Sequence, residues 1–197
     1  MTARRQGPDR CSGGFSLVEL IVTIAILATV LLVASKILIG SNRMERNTAE
    51  RADVQAAARQ TLFLMTSEIR QAGADPSSPP VGIVGIVSAD SVRLRVRADL
   101  NGNGTIQTAE PSEDVTYSWS DTSGVISRDP GTGAIPLLSG VTSLRVRYFD
   151  ATNTEITALP LSTTDAARVR SVALSFTSAS GSAQPLTLST RITLRNM

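Results

Sequence analysis

Two sets of oxygen-bearing side chains are the candidates for chemistry in this chain. The run Asp99-Leu100-Asn101-Gly102-Asn103-Gly104-Thr105-Ile106-Gln107-Thr108-Ala109-Glu110 puts Asp99, Asn101 and Asn103 at alternate positions, with Gly104 sixth and Glu110 twelfth. Hard oxygen ligands at this spacing around a glycine turn suit calcium: Thr105 offers its carbonyl, Gln107 acts through water and Glu110 closes the cage. Only two of these ligands are carboxylates and the flanking pattern is strand, so a polar Asn-Gly turn between strands competes with a weak cation site. The other candidate is a single carboxylate, Glu19, at the mouth of the apolar run Leu17-Val18-Glu19-Leu20-Ile21-Val22-Thr23-Ile24-Ala25-Ile26-Leu27. An unpaired charge in lipid costs at least a few kcal/mol. Glu19 therefore needs an interface or a partner.

The rest of the inventory argues against catalysis. The 197 residues include no histidine, and Cys11 is the one cysteine. The commonest general base is thus missing, and beyond residue 14 so are a thiol nucleophile and any internal disulfide. Lys36, the one lysine, lies inside the apolar run. Formal charge is +2. Arg4, Arg5 and Arg10 against Asp9 account for all of it, leaving 16 basic and 16 acidic side chains after residue 14. A neutral body argues against nucleic acid as a partner, because phosphate binding needs a basic patch.

The elements that must position these residues begin with a helix. Sixteen uncharged residues separate Glu19 from Lys36, and Ile37, Leu38 and Ile39 extend the stripe. At ~1.5 Å per residue, sixteen residues give about 24 Å, which crosses a bilayer if Lys36 snorkels and the flanks contribute. Arg4, Arg5 and Arg10 place the N-terminus in the cytoplasm, so the remainder is exported. A secretory signal peptide with Val33-Ala34-Ser35 as cleavage site, or a plain signal anchor, predicts a break after the apolar run. Between Phe15 and Ala72, however, there is no Pro and only one Gly, Gly40. Val54, Ala58, Leu62, Met65 and Ile69 continue as one apolar helical face. Met65 and Phe63 read as core packing. Gly73 and Pro76 end the helix.

Everything after Asp75-Pro76-Ser77-Ser78-Pro79-Pro80 reads as β. Ser91 to Arg97 and Ser143 to Tyr148 alternate apolar side chains with Arg, as half-exposed strands do. Val172, Leu174 and Phe176, then Leu186, Leu188, Ile192 and Leu194, have similar spacing, and Val115 to Ser120 and Val125 to Arg128 add shorter candidates. An antiparallel sheet with one apolar face is the natural cover for the helix stripe. The expected fold is α+β, a long N-terminal helix packed on a C-terminal antiparallel β-sheet domain. Its parts are residues 1–14 as a leader, 15–74 as the helix (membrane-spanning about 17–39), 75–80 as a linker and 81–197 as the β-domain.

Gly14-Phe15-Ser16-Leu17-Val18-Glu19 resembles the class III signal of type IV prepilins and pseudopilins, a short charged leader ending in Gly, then Phe and a Glu fifth in the mature chain. The resemblance implies that a prepilin peptidase cuts between Gly14 and Phe15 and methylates the Phe15 amine. In a helical stack, a neighbour's N-terminal ammonium then meets the Glu19 carboxylate, which offsets its desolvation. The implied partners are that peptidase, other major and minor pilins, the inner-membrane assembly platform and the membrane itself. The implied location is the inner membrane of a Gram-negative bacterium, with the C-terminal domain periplasmic, and then the pilus surface. The Ala/Arg-rich helix and the Asn/Gly loop look most like PilW-type minor pilins, which assemble pili for twitching motility or adhesion. A J-type pseudopilin of type II secretion is the alternative, and a secreted calcium-binding β-domain the alternative of a different class. No cofactor is required, with calcium the one candidate. The chain departs from common family features in lacking a mature-domain disulfide and a helix-kinking Pro.

Overall fold

A computed structural model describes residues 16–108, 113–179 and 185–197. Helix α1 spans Leu17–Gln71, 55 residues, as a stretch without Pro allows. The backbone divides into two compact units, one ending at Asn47 and one covering Thr48–Met197. In the first, every described residue is exposed.

In the second unit, α1 buries Ala58, Thr61, Met65 and Ile69, at helical spacings of 3, 4 and 4. Val54 and Leu62, expected on this face, are half-buried. Phe63 corrects the expectation of core packing, for it is 77% exposed. Two residues of helix turn it about 200° from both Thr61 and Met65, so those two buried positions force it outward. After α1 the chain turns at Gly73, whose φ is 79°. Its N–H donates to the Arg97 carbonyl at 2.9 Å. A Cβ there would sit 2.6 Å from the Asn196 carbonyl oxygen, so both the backbone angle and the close approach require glycine.

The β region forms two antiparallel sheets where the sequence pattern suggested one. The first contains β1 (Ile86–Ala89), β2 (Arg93–Arg97), β3 (Asp114–Ser120), β4 (Val125–Asp129) and β5 (Ile135–Leu138), paired in chain order. The second contains β6 (Val141–Phe149), β7 (Glu155–Ile156), β8 (Ser171–Ser178) and β9 (Leu186–Thr193), in the order β7-β6-β8-β9. Between β7 and β8 a short helix, α2 (Thr163–Arg168), is capped by Ser162, whose hydroxyl accepts from the Asp165 N–H. Strands β1, β5 and β7 and helix α2 have no counterpart in the sequence reading. Each is short, and tertiary pairing specifies it more than its own residues do.

Alternation decides which side chains go in. On β2, Leu94 and Val96 are buried between outward Arg93, Arg95 and Arg97. On β6, Leu144, Val146 and Tyr148 are buried between outward Arg145 and Arg147. The inward faces of both sheets and the α1 stripe share one core, which includes Met65, Ile69, Tyr117, Tyr148 and Phe176. Polar stitches join the sheets. The Val146 N–H donates to the Ser91 carbonyl at 2.9 Å and the Tyr148 hydroxyl to the Asp90 carbonyl at 2.8 Å.

Candidate functional site

The described part of the N-terminal segment begins at Ser16, whose carbonyl accepts from the Leu20 N–H at 3.1 Å as α1 starts. Gly14 and Phe15, the expected processing residues, lie outside the described residues. Glu19 occupies the first turn of α1 and is exposed. A carboxylate there is favoured by the partial positive charge of the helix N-terminus. Two threonine hydroxyls along the apolar stretch are satisfied within the helix. Thr23 donates to the Leu20 carbonyl at 2.8 Å and Thr29 to the Ile26 carbonyl at 2.7 Å. Internal satisfaction is what a helix in hydrocarbon requires.

Apolar exposure in this stretch runs all the way round the helix, with Leu17 at 74% and Val22 at 49%. An unbroken apolar surface of this kind marks a site for lipid or for other apolar helices. α1 is long and apolar enough to cross a membrane. The segment is membrane-anchoring in character.

Beside the shared apolar core, a charge cluster that the sequence pattern did not reveal ties the second half of α1 to the first sheet. Glu68 receives the Arg128 guanidinium, with Nε 3.1 and 3.0 Å from the two carboxylate oxygens and Nη2 2.6 Å from Oε1. The Tyr117 hydroxyl donates to the same carboxylate. Glu68 and Arg128 are only 11% and 12% exposed. Burial, and after it the Glu68 charge, pushes the Tyr117 hydroxyl well above the usual phenol range, so it stays a donor. A charged residue among Met65 and Ile69 on the buried stripe was the available sequence signal.

A second ionic cluster sits on the first sheet. Asp114, 3% exposed, accepts from Arg95 at 2.8 Å on each oxygen and from Arg97 Nε at 2.9 Å. Burial pushes its carboxyl up, but the two guanidiniums outweigh burial and leave it below its ordinary value. These arginines thus belong to a carboxylate rather than to a plain solvated row.

The 99–110 loop is organised from inside. Asp99, fully buried, accepts the Gly102 N–H at 2.7 Å on Oδ1 and the Gly104 N–H at 2.8 Å on Oδ2. Asn101 and Asn103 accept from the N–H groups of Asn103 and Thr105 at 3.0 and 2.9 Å. Glu110 lies outside the described residues. Glu113, 2% exposed, ties the loop down, accepting from the N–H groups of Leu100, Asn101 and Gln107 at 3.2, 3.4 and 3.0 Å. Among the described residues no three His, Cys, Asp or Glu side chains converge as metal ligands. Nearby, Asp75 accepts the Gly82 N–H at 2.7 Å, and a Cβ on Gly104 would meet Val81 Cγ1 at 3.3 Å, so the 75–82 segment packs on this loop.

Residues 9–35 match the family model described as the prokaryotic N-terminal methylation motif. The chain is also similar to the pilin-like protein PilA3 of Thermus thermophilus, 36% identical over 61 residues. That alignment covers 31% of this chain and 26% of the relative. A methylation motif that opens an apolar helix, followed by an antiparallel β-domain stacked on the helix's later turns, matches a type IV pilin-like design.

Proposed function

We propose that the chain is a minor type IV pilin, a structural subunit that a prepilin peptidase cuts between Gly14 and Phe15 and methylates at the Phe15 amine. The mature subunit leaves the inner membrane of a Gram-negative cell through its assembly platform and joins other pilins in a filament used for twitching or adhesion. The observation that carries this reading is the motif in register with a helix that exposes apolar side chains on all sides. In the filament, neighbouring helices replace lipid around that surface, and the Phe15 ammonium of one subunit pairs with Glu19 of another. Pairing offsets the cost of withdrawing both charges from water.

The test is the mass of the mature N-terminus. N-methyl-Phe15 supports the reading, whereas a start near Lys36 overturns it. Gly14→Val should leave the full-length precursor in the membrane, and Glu19→Ala should permit cleavage yet impair incorporation. Normal filament numbers with Glu19→Ala would reduce Glu19 to a boundary residue. The same reading keeps a weak calcium site at Asp99, Asn101, Asn103, Thr105, Gln107 and Glu110, supported by ligand spacing alone. Calcium should then raise the melting temperature by a few degrees over chelator, and Glu110→Ala should remove the gain. An unchanged melt returns the loop to a turn.

A further inference from the structure

The outward face of the second sheet is more basic than the rest of the body. Arg145, Arg147 and Arg191 point outward from its strands, against the single acid Glu155, which pairs with Arg147. At one end of this face a cleft of about 240 Å³ opens between the β6–β7 turn and the ends of β8 and β9. Arg170, Arg191, Ser171, Thr193, Asn153 and Asp150 line it.

Its two arginines are fixed by neutral groups. Arg191 lies on the Phe149 ring with Cζ 3.9 Å from the centroid, and its Nε and Nη2 donate to the Ser171 hydroxyl oxygen at 3.0 and 2.8 Å. Arg170 Nη1 donates to the carbonyls of Ala167 and Val169, each at 2.9 Å. Among the described residues neither guanidinium has a carboxylate partner. A guanidinium held by a ring, a hydroxyl or carbonyls keeps its full charge and loses little freedom on binding, so its remaining N–H groups are prepared for an oxyanion. Ser171, which accepts twice from Arg191, retains its own proton to donate.

Asp150 narrows the choice of anion. Its carboxylate already accepts from the N–H groups of Thr152 and Thr154, each at 2.9 Å, from the Thr152 hydroxyl at 2.7 Å, and lies 3.4 Å from Arg168. The Thr152 hydroxyl first, then the Thr154 N–H, hold it below the usual carboxylate range, so it stays charged. A fixed negative charge beside two guanidiniums disfavours a dianion and accepts from hydroxyls. Thr193 and Asn153 add further hydroxyl and amide groups.

We propose that this cleft binds a sugar acid, its single carboxylate on Arg191 and Arg170 and its hydroxyls toward Asp150, Asn153 and Thr193. The ligand class is an acidic saccharide unit such as a polymer of the cell surface or surroundings presents. The proposal does not depend on the filament reading.

The test uses the full chain, isotope-labelled in nonionic detergent micelles, at constant ionic strength. Sodium glucuronate is titrated while the Arg191 and Arg170 side-chain N–H resonances are followed, with glucose and inorganic phosphate in parallel. The expected result is a saturable shift with a Kd on the order of 1 mM for glucuronate, no shift with glucose and a weaker one with phosphate. Arg191→Gln and, separately, Arg170→Gln should each weaken glucuronate binding about tenfold while leaving the backbone spectrum folded. Arg93→Gln, on the other sheet, should leave it unchanged. A shift that does not saturate, or one that survives both cleft variants, overturns the site. Phosphate binding tighter than glucuronate overturns the sugar-acid assignment.

Discussion

Replacing Glu68 by Ala should be among the costliest single changes in the Thr48–Met197 unit. The substitution removes the carboxylate that now receives both the Arg128 guanidinium and the Tyr117 hydroxyl. Removing one partner of a buried ion pair costs roughly 3–5 kcal/mol, because the surviving charge stays desolvated. Arg128 retains 12% exposure, enough for water to approach, so the lower end applies. The orphaned Tyr117 hydroxyl, in a residue 1% exposed, adds about 1 kcal/mol. The sum, about 4 kcal/mol, is a large share of the 5–15 kcal/mol that holds a typical domain together. For a unit of this size it corresponds to a fall in melting temperature of roughly 10 °C. A melt of the full chain in mild detergent, followed by near-ultraviolet circular dichroism, reads it. Glu68→Met combined with Arg128→Met supplies the second arm, because replacing both charges by apolar groups should recover most of the loss. A cost below about 1 kcal/mol for Glu68→Ala, or a double variant no more stable than the single one, would refute the latch.

Asp114 is held below its unfolded value, so it stabilises the fold above pH ~4 and that contribution disappears as pH falls through the lower, folded value. Asp114→Asn should therefore flatten the acid limb of stability against pH, and an unaltered limb counts against the Arg95–Asp114–Arg97 bridge. Tyr117 and Tyr148, the chain's two tyrosines, are both pushed up, chiefly by burial. Their stabilisation is complete below pH ~10 and is lost as pH rises beyond it. Absorbance at the phenolate band should accordingly rise only as the alkaline fold is lost, and ionisation near pH 10 with native circular dichroism intact would contradict this burial. Phe63→Ser, on the outward face of α1, should change stability by no more than about 0.5 kcal/mol. A loss of 2 kcal/mol or more would place Phe63 in the core after all.

Local patterning accounts for much of what the sequence by itself determined. The helical period of Ala58, Met65 and Ile69, the absence of Pro and the Gly73 stop are carried by residues within a turn or two of one another, and they specify α1. Arg-apolar alternation likewise determined which way Leu94, Val96, Leu144 and Val146 face. The N-terminal methylation motif is legible without tertiary context, because it is a short linear pattern. Tertiary structure alone decided matters that depend on groups distant in the chain. Glu68 finds Arg128 sixty residues away, and no periodicity encodes that pairing. Glu113, which no ligand spacing singled out, ties down the 99–107 part of the loop, because strand β3 begins beside it and brings its carboxylate beneath three loop N–H groups. Phe63 faces out because Thr61 and Met65 had already taken the inward directions. Two sheets form in place of one because the β6 edge pairs with β8 rather than with β5, a choice made by long-range packing that the same alternating pattern on every strand leaves open.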